Sequence, residues 1–151
     1  MEDIKTRSFI AKLFCTTAPY EGAVGWSDSI LHGESGWLVV GGAAQPLQLR
    51  FEHIETTTEN RIHYHIHTHE NEYYPRARLG LSLNHYLGLY TVAEVTHHWK
   101  LEPLGEWAVG EDIHFYLRDN LGQRVGIYRQ SYLNVRAPEA ARFKAQIIEL
   151  L

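Results

Sequence analysis

The chain has 151 residues, 44% of them apolar and 21% charged, a formal net charge of −4 and one cysteine. That length suits a single domain able to bury a core without staples, and no apolar run is long enough to span a membrane. The negative balance argues against general binding to nucleic-acid phosphates, which needs a positive field. Cys15 has no partner for an internal disulfide and reads as a small apolar filler in a reducing compartment. Residues 1–7 mix charges and lack the basic stretch, apolar stretch and cleavage site of a signal peptide, so a cytoplasmic location is expected. Ten histidines make the surface charge pH-sensitive, because exposed imidazoles titrate near pH ~6.5.

In chain order, the first apolar alternation is Phe9/Ala11/Leu13, followed by Val24-Gly25-Trp26, then Trp37-Leu38-Val39-Val40, then Leu49-Arg50-Phe51-Glu52-His53-Ile54. The order recurs as Ile62/Tyr64/Ile66, Leu79-Gly80-Leu81, Tyr86-Leu87-Gly88-Leu89 and Trp99-Lys100-Leu101-Glu102-Pro103-Leu104. It recurs again as Ile113/Phe115/Leu117, Val125-Gly126-Ile127, Tyr132-Leu133-Asn134-Val135 and Phe143-Lys144-Ala145-Gln146-Ile147-Ile148. Apolar residues at spacing two predict strands with one face inward. Asp119-Asn120-Leu121-Gly122 predicts a turn, since Asp and Asn bond their own backbone and Gly tolerates positive φ. Residues 123–128, 131–136 and 142–148 then complete the third unit. From Pro138 onward the local signals are helical, with Pro in a first turn beside Glu139 and strong helix formers after it. The repeat columns place 143–148 in a closing strand, so a strand is expected there, with a helical turn at 138–141.

Four columns in three copies, about 9–54, 62–104 and 113–148, predict an internal-repeat, all-β domain spanning 1–151. Four strands per unit give twelve, and no unit could bury its apolar face alone. This arrangement resembles the β-trefoil, a six-stranded barrel capped by three hairpins. The stretch from His114 to Val135 is similar to trefoil repeats of the fascin and carbohydrate-binding type. The resemblance implies fold more than function, because lectins, protease inhibitors, growth factors and actin cross-linkers share it. The Gln-x-Trp motif of ricin-type trefoil lectins is absent, so that family's sugar residues do not transfer.

His63, His65, His67 and His69 alternate with Tyr64, Ile66 and Thr68, which puts the four imidazoles on one strand face. Such a row can be a polar outer surface, or a metal set of His63, His65 and His67 completed by an acid such as Glu72. His65-Ile66-His67, Glu72 and Gly80 also resemble the first metal motif of the cupins, although the second motif is poorly met by Pro103-Leu104-Gly105 and His114. No cofactor is expected.

Sugar sites pair an aromatic platform with a few fixed polar groups. An insertion at 27–36 in the first unit offers Trp26, Asp28, His32 and Glu34, with Trp26 alternatively occupying a core column. Asn84 and His85 precede Tyr86 in a hairpin, where a plain polar turn is the other reading. Tyr73, Tyr74 and Arg76 sit in a long loop outside the columns, where paired aromatics serve a partner or local packing. No nucleophile elbow, phosphate loop or dinucleotide fingerprint is present. The expectation is therefore a non-catalytic recognition module for carbohydrate. A protein-binding trefoil such as a protease inhibitor is the first alternative and a cupin-like metal enzyme the second. The ligand is expected to be a glycan or a protein, with no nucleic acid and no membrane insertion, and the oligomeric state is left open.

Overall fold

Residues of alternating polarity need one dry face, and the chain provides it by folding its strands into a ring. The computed structural model describes residues 3–28, 36–42, 44–91 and 97–151. The strands, in chain order, are β1 (Phe9–Cys15), β2 (Gly22–Trp26), β3 (Leu38–Val40), β4 (Leu49–Thr56), β5 (Ile62–Thr68) and β6 (Arg78–Leu81). They continue as β7 (Leu87–Tyr90), β8 (Trp99–Pro103), β9 (Ile113–Arg118), β10 (Gly126–Tyr128), β11 (Tyr132–Asn134) and β12 (Arg142–Leu150). Among the described residues there is no α-helix, only a short 3-10 turn, Ile4–Thr6, whose Ile4 is buried in the core. The domain is all-β.

Six strands close a barrel: β1 pairs with β4 and β12, β4 with β5, β5 with β8, β8 with β9, and β9 with β12, all antiparallel. A closed ring leaves no free edge to pair with another chain. Its interior is built from opposed apolar pairs in two layers. One layer opposes Ala11 to Leu49, Tyr64 to Trp99 and Phe115 to Phe143. The next opposes Phe9 to Phe51, Ile62 to Leu101 and Ile113 to Ala145. All twelve residues are no more than 1% exposed. Volume is balanced between layers: small Ala11 and Ala145 sit where another pair is bulky, as close packing demands. Phe9 and Phe51 stack at 4.7 Å, and Tyr64 meets Phe9 edge-on at 5.4 Å.

Three hairpins, β2–β3, β6–β7 and β10–β11, lie outside this ring and meet one another. Tyr132 pairs with Val39, Trp37 bridges Gly88, and Tyr86 bridges Asn134. The aromatics that head the three hairpin boxes therefore converge: Trp37 stacks on Tyr86 at 4.3 Å, and Tyr132 meets both edge-on at 5.9 and 5.8 Å. Two glycines, Gly25 and Gly126, are fixed by close backbone approach. A Cβ on Gly25 would lie 1.9 Å from the Gln45 carbonyl oxygen, and one on Gly126 would lie 2.0 Å from that of Glu139.

Several details depart from the sequence expectation. Residues 138–141 form a bend rather than a helical turn, because Ala140 bridges Gly126 and Ala141 N–H donates to the Val125 carbonyl. The closing strand runs to Leu150, and the return strand begins only at Gly126. The last aliphatic position of the six-residue signature leaves the core: Ile54 is 44% exposed and Ile148 49%. For Ile54 the cause is a register shift between His53 and Glu55, a bulge that leaves Ile54 unpaired on β4. The 119–122 turn forms as its residue types require, with Asp119 Oδ1 accepting from Leu121 N–H and Gln123 N–H and Gly122 at φ 85°.

Replacing Gly126 by Ala drives a methyl into a backbone carbonyl and is expected to cost about 1–3 kcal/mol. Trp99→Ala, which opens a cavity inside the ring, is expected to cost about 3–5 kcal/mol. Denaturant midpoints measure both, and an unmoved midpoint in Gly126→Ala would contradict the close approach described.

Candidate functional site

Once Leu49, Phe51, Ile62, Tyr64 and Ile66 point inward, their sequence neighbours must point out. Arg50 and Glu52 thus stand on the outer face of β4, and His63, His65 and His67 on that of β5. Strand register decides which of them meet. His67 lies opposite Arg50 on one side and opposite Arg78 of β6 on the other, while Glu52 lies opposite His65.

Beyond β5 the chain makes a loop, 69–77, that walls a cleft of about 730 Å³ against this outer face. The loop is tied at its base by Thr68, 3% exposed, whose hydroxyl donates to the Tyr74 carbonyl at 2.5 Å and accepts from Ala77 N–H at 2.9 Å. The Asn71 side chain accepts from the N–H groups of Tyr73 and Tyr74 at 3.0 and 2.8 Å, the local turn chemistry asparagine favours. Glu70 and Arg76 take left-handed φ values of 49° and 50°, which turn the chain out and back.

The cleft is polar and contains three guanidiniums, from Arg50, Arg76 and Arg78, against the carboxylates of Glu52 and Glu70. Glu52 is shared: Arg50 Nε lies 3.3 Å and His67 Nε2 3.7 Å from its Oε1. Glu70 faces His69 at 3.6 Å. Arg78 Nη1 donates to His65 Nδ1 at 3.3 Å, and since a guanidinium can only donate, His65 accepts there. Burial lowers the pKa of His67, and the charges of Arg50, Arg78 and His69 lower it further against the opposing pull of Glu52. Its neutral form is thus favoured over the imidazolium by burial and by the cations beside it.

Next along β5, His63 stacks on His98 with ring centres 5.2 Å apart, and its Nδ1 lies 3.2 Å from Glu55. Burial lowers the pKa of both imidazoles, with Lys100 adding to the effect on each. Further round the barrel, Glu102 accepts from Arg118 and Arg124 and lies 3.4 Å from Arg61. Burial pushes its carboxyl up, but the surrounding guanidiniums outweigh that and hold it below the ordinary carboxylate range.

The candidate residues are regrouped by the fold. Trp26 is 7% exposed and belongs to the core, so it offers no open platform. Its ring is packed by Tyr73 at 5.2 Å and Tyr74 at 5.1 Å, which brings the first and third candidate sets together. Tyr73 remains 74% exposed and supplies the outward aromatic surface instead. Asp28 is exposed and accepts from Gln45 at 3.4 Å, while His32 and Glu34 lie outside the described residues. Arg76 joins the cleft. Asn84 and His85 are held against the third hairpin, their carbonyls accepting from Asn134 Nδ2 and Val135 N–H. The possible metal set of His63, His65, His67 and Glu72 does not converge. Alternate residues on a strand are about 7 Å apart, too far for three to share one ion, and each of these histidines faces a different partner. Among the described residues no group of three or more His, Cys, Asp or Glu is placed to hold a metal ion. No described helix is long and apolar enough to cross a membrane. Sequence reasoning missed Arg50, Arg78 and Glu52 because only the register of β4, β5 and β6 brings them to His67.

His63, His67 and His98 have folded pKa values below the unfolded ~6.5. The unfolded chain therefore takes up their protons first as pH falls. Stability present above pH ~6.5 is lost progressively on acidification through the folded values. Thermal unfolding should occur at lower temperature at pH 5 than at pH 7.5, and replacing all three by Gln should flatten that dependence. No family model, curated protein or solved structure matches the chain, so its function is argued from this geometry.

Proposed function

We propose that this chain is a β-trefoil, and that it works as a non-catalytic recognition module binding carbohydrate through the 69–77 loop and the cleft beside it. The trefoil reading draws support from the six-stranded ring with three hairpins outside it. It draws more from recurrence: the same inward oppositions in each unit, the convergence of Trp37, Tyr86 and Tyr132, and the tight approaches at Gly25 and Gly126.

The observation that carries the carbohydrate reading is Tyr73. Its ring is 74% exposed yet backed by Trp26, and its backbone is pinned by Asn71, which itself lines the cleft. A pre-positioned ring loses little freedom when the apolar face of a pyranose covers it. The neighbouring Arg, His, Glu and Asn groups offer donors and acceptors for hydroxyls, the combination small polar ligands require. The protein-binding alternative draws on the same ring, because a large aromatic on a braced loop is also a typical anchor for a protein partner.

A glycan array probed with the intact protein tests the proposal. Selective binding to related glycans is expected. Tyr73→Ala should weaken it by several-fold to about tenfold, the scale of one lost aromatic contact. Leu83→Ala at the tip of the β6–β7 hairpin, 98% exposed, should leave it unchanged. A folded protein that binds no glycan would sink the carbohydrate reading, and dependence on Tyr73 of a protein complex would replace it.

A further inference from the structure

We infer that the cleft is an anion site, and that the glycan it takes carries an acidic group, a carboxylate or a sulfate, seated across Arg50, His67 and Arg78. The sugar half of this inference rests on the carbohydrate reading above; the anion half does not.

Strand register is the first argument. Arg50, His67 and Arg78 occupy one row across β4, β5 and β6, so two guanidiniums flank one imidazole on the same outer face. Planar forks on either side of a ring N–H match the spaced oxygens of a carboxylate or sulfate, to which Arg binds in bidentate fashion. Charge is the second. Three guanidiniums line a cleft holding two carboxylates, an excess of one positive charge: Glu52 is shared between Arg50 at 3.3 Å and His67 at 3.7 Å, and Glu70 faces His69. Arg76 makes no ion pair among the described residues, and Arg78 spends one donor on His65 and has no carboxylate. This local positive excess lies within a chain whose formal net charge is −4. The overall negative field disfavours a long polyanion such as nucleic acid, whereas a single acidic group needs only the local one.

A bound anion also removes the reason for His67 to stay neutral. The groups that face it are Arg50 and Glu52 on β4, Arg78 on β6, and His69 in the loop. Of these only Glu52 favours the imidazolium, and an anion in the row would be a second negative charge beside it. Anion uptake therefore carries a proton, and affinity should rise as pH falls from about 7.5 towards 5.5.

The test is titration of the full chain, followed by calorimetry and by the His67 ring resonances, with four probes: an oligouronate, its methyl ester, a sulfated neutral oligosaccharide and inorganic sulfate. Tight binding of an acidic saccharide is expected, at least tenfold tighter than the methyl ester, with a shift of the His67 signal towards the imidazolium and weakening by added salt. Which acidic saccharide binds decides between carboxylate and sulfate. Arg78→Gln should reduce affinity at least tenfold. Arg76→Gln, at an exposed loop position, should reduce it several-fold. Equal binding of acid and methyl ester, with no tighter binding of the sulfated oligosaccharide, would overturn the anion and leave the carbohydrate reading standing. Inorganic sulfate moving His67 while no saccharide binds would keep the anion site and remove the glycan. An unmoved His67 with every anionic probe would overturn the anion site whatever the sugars do.

Discussion

Ring closure between β1 and β4 is the constraint from which the rest follows. Phe9 opposite Phe51 and Ala11 opposite Leu49 join the first strand to the fourth, while β12 covers the other side of β1. Because this ring is closed, each barrel strand has neighbours on both sides and its alternation is locked: a slip of one residue would turn every core side chain into water. The bulky pairs Tyr64–Trp99 and Phe115–Phe143 then need a small residue in their layer, which Ala11 supplies, as Ala145 does beside Phe9–Phe51 in the next. Packing of this kind is non-local, since β1 and β12 lie at opposite ends of the chain. It joins the first and last strands of the chain in one ring.

That same closure makes the outer cleft. A histidine row on an isolated strand would be a flexible polar fringe. Here β5 is held by β4 on one side, and β6 pairs at His67 on the other, so Arg50 and Arg78 are brought to the same imidazole. Thr68 belongs to both worlds: its position on β5 is inward and buried, and its hydroxyl clamps the two arms of the 69–77 loop. The core thus fixes the loop, and the loop fixes Tyr73 against Trp26. A core residue and a surface aromatic are linked through three contacts rather than through any direct sequence signal.

The legible part of the sequence was its local patterning. Period-two alternation, the aromatic boxes and the glycine column gave the strands, the inward faces and the three hairpins, since each depends on residues close in sequence. The closing strand was legible against its own helical propensity, because Phe143 and Ala145 have partners waiting on β9 and β1. What escaped depends on pairing. The bulge at Ile54 arises from register, as does the meeting of Arg50, His67 and Arg78. Trp26 had a core reading beside its reading as a platform, and it is buried with Tyr73 and Tyr74 packed against it. The alternating histidines were legible as a face but not as separate sites, because the sequence does not say that each finds a different partner.

The separate partners matter for what acid does to the molecule. His63 and His98 stack on each other, and protonation of both would set two cations face to face, with Glu55 the carboxylate that offsets them among the described residues. That pair does not line the cleft, so its titration bears first on stability. His67 differs, because its cationic neighbours are also the donors of the cleft. Protonating it empty places a third positive charge between Arg50 and Arg78; protonating it beside an anion completes a compensated set. Acid therefore weakens the empty fold at both places but strengthens the ligand's hold at one of them. Since a ligand bound only to the folded state stabilises it in proportion to its affinity, an anion in the cleft should protect the barrel most where the histidines threaten it most.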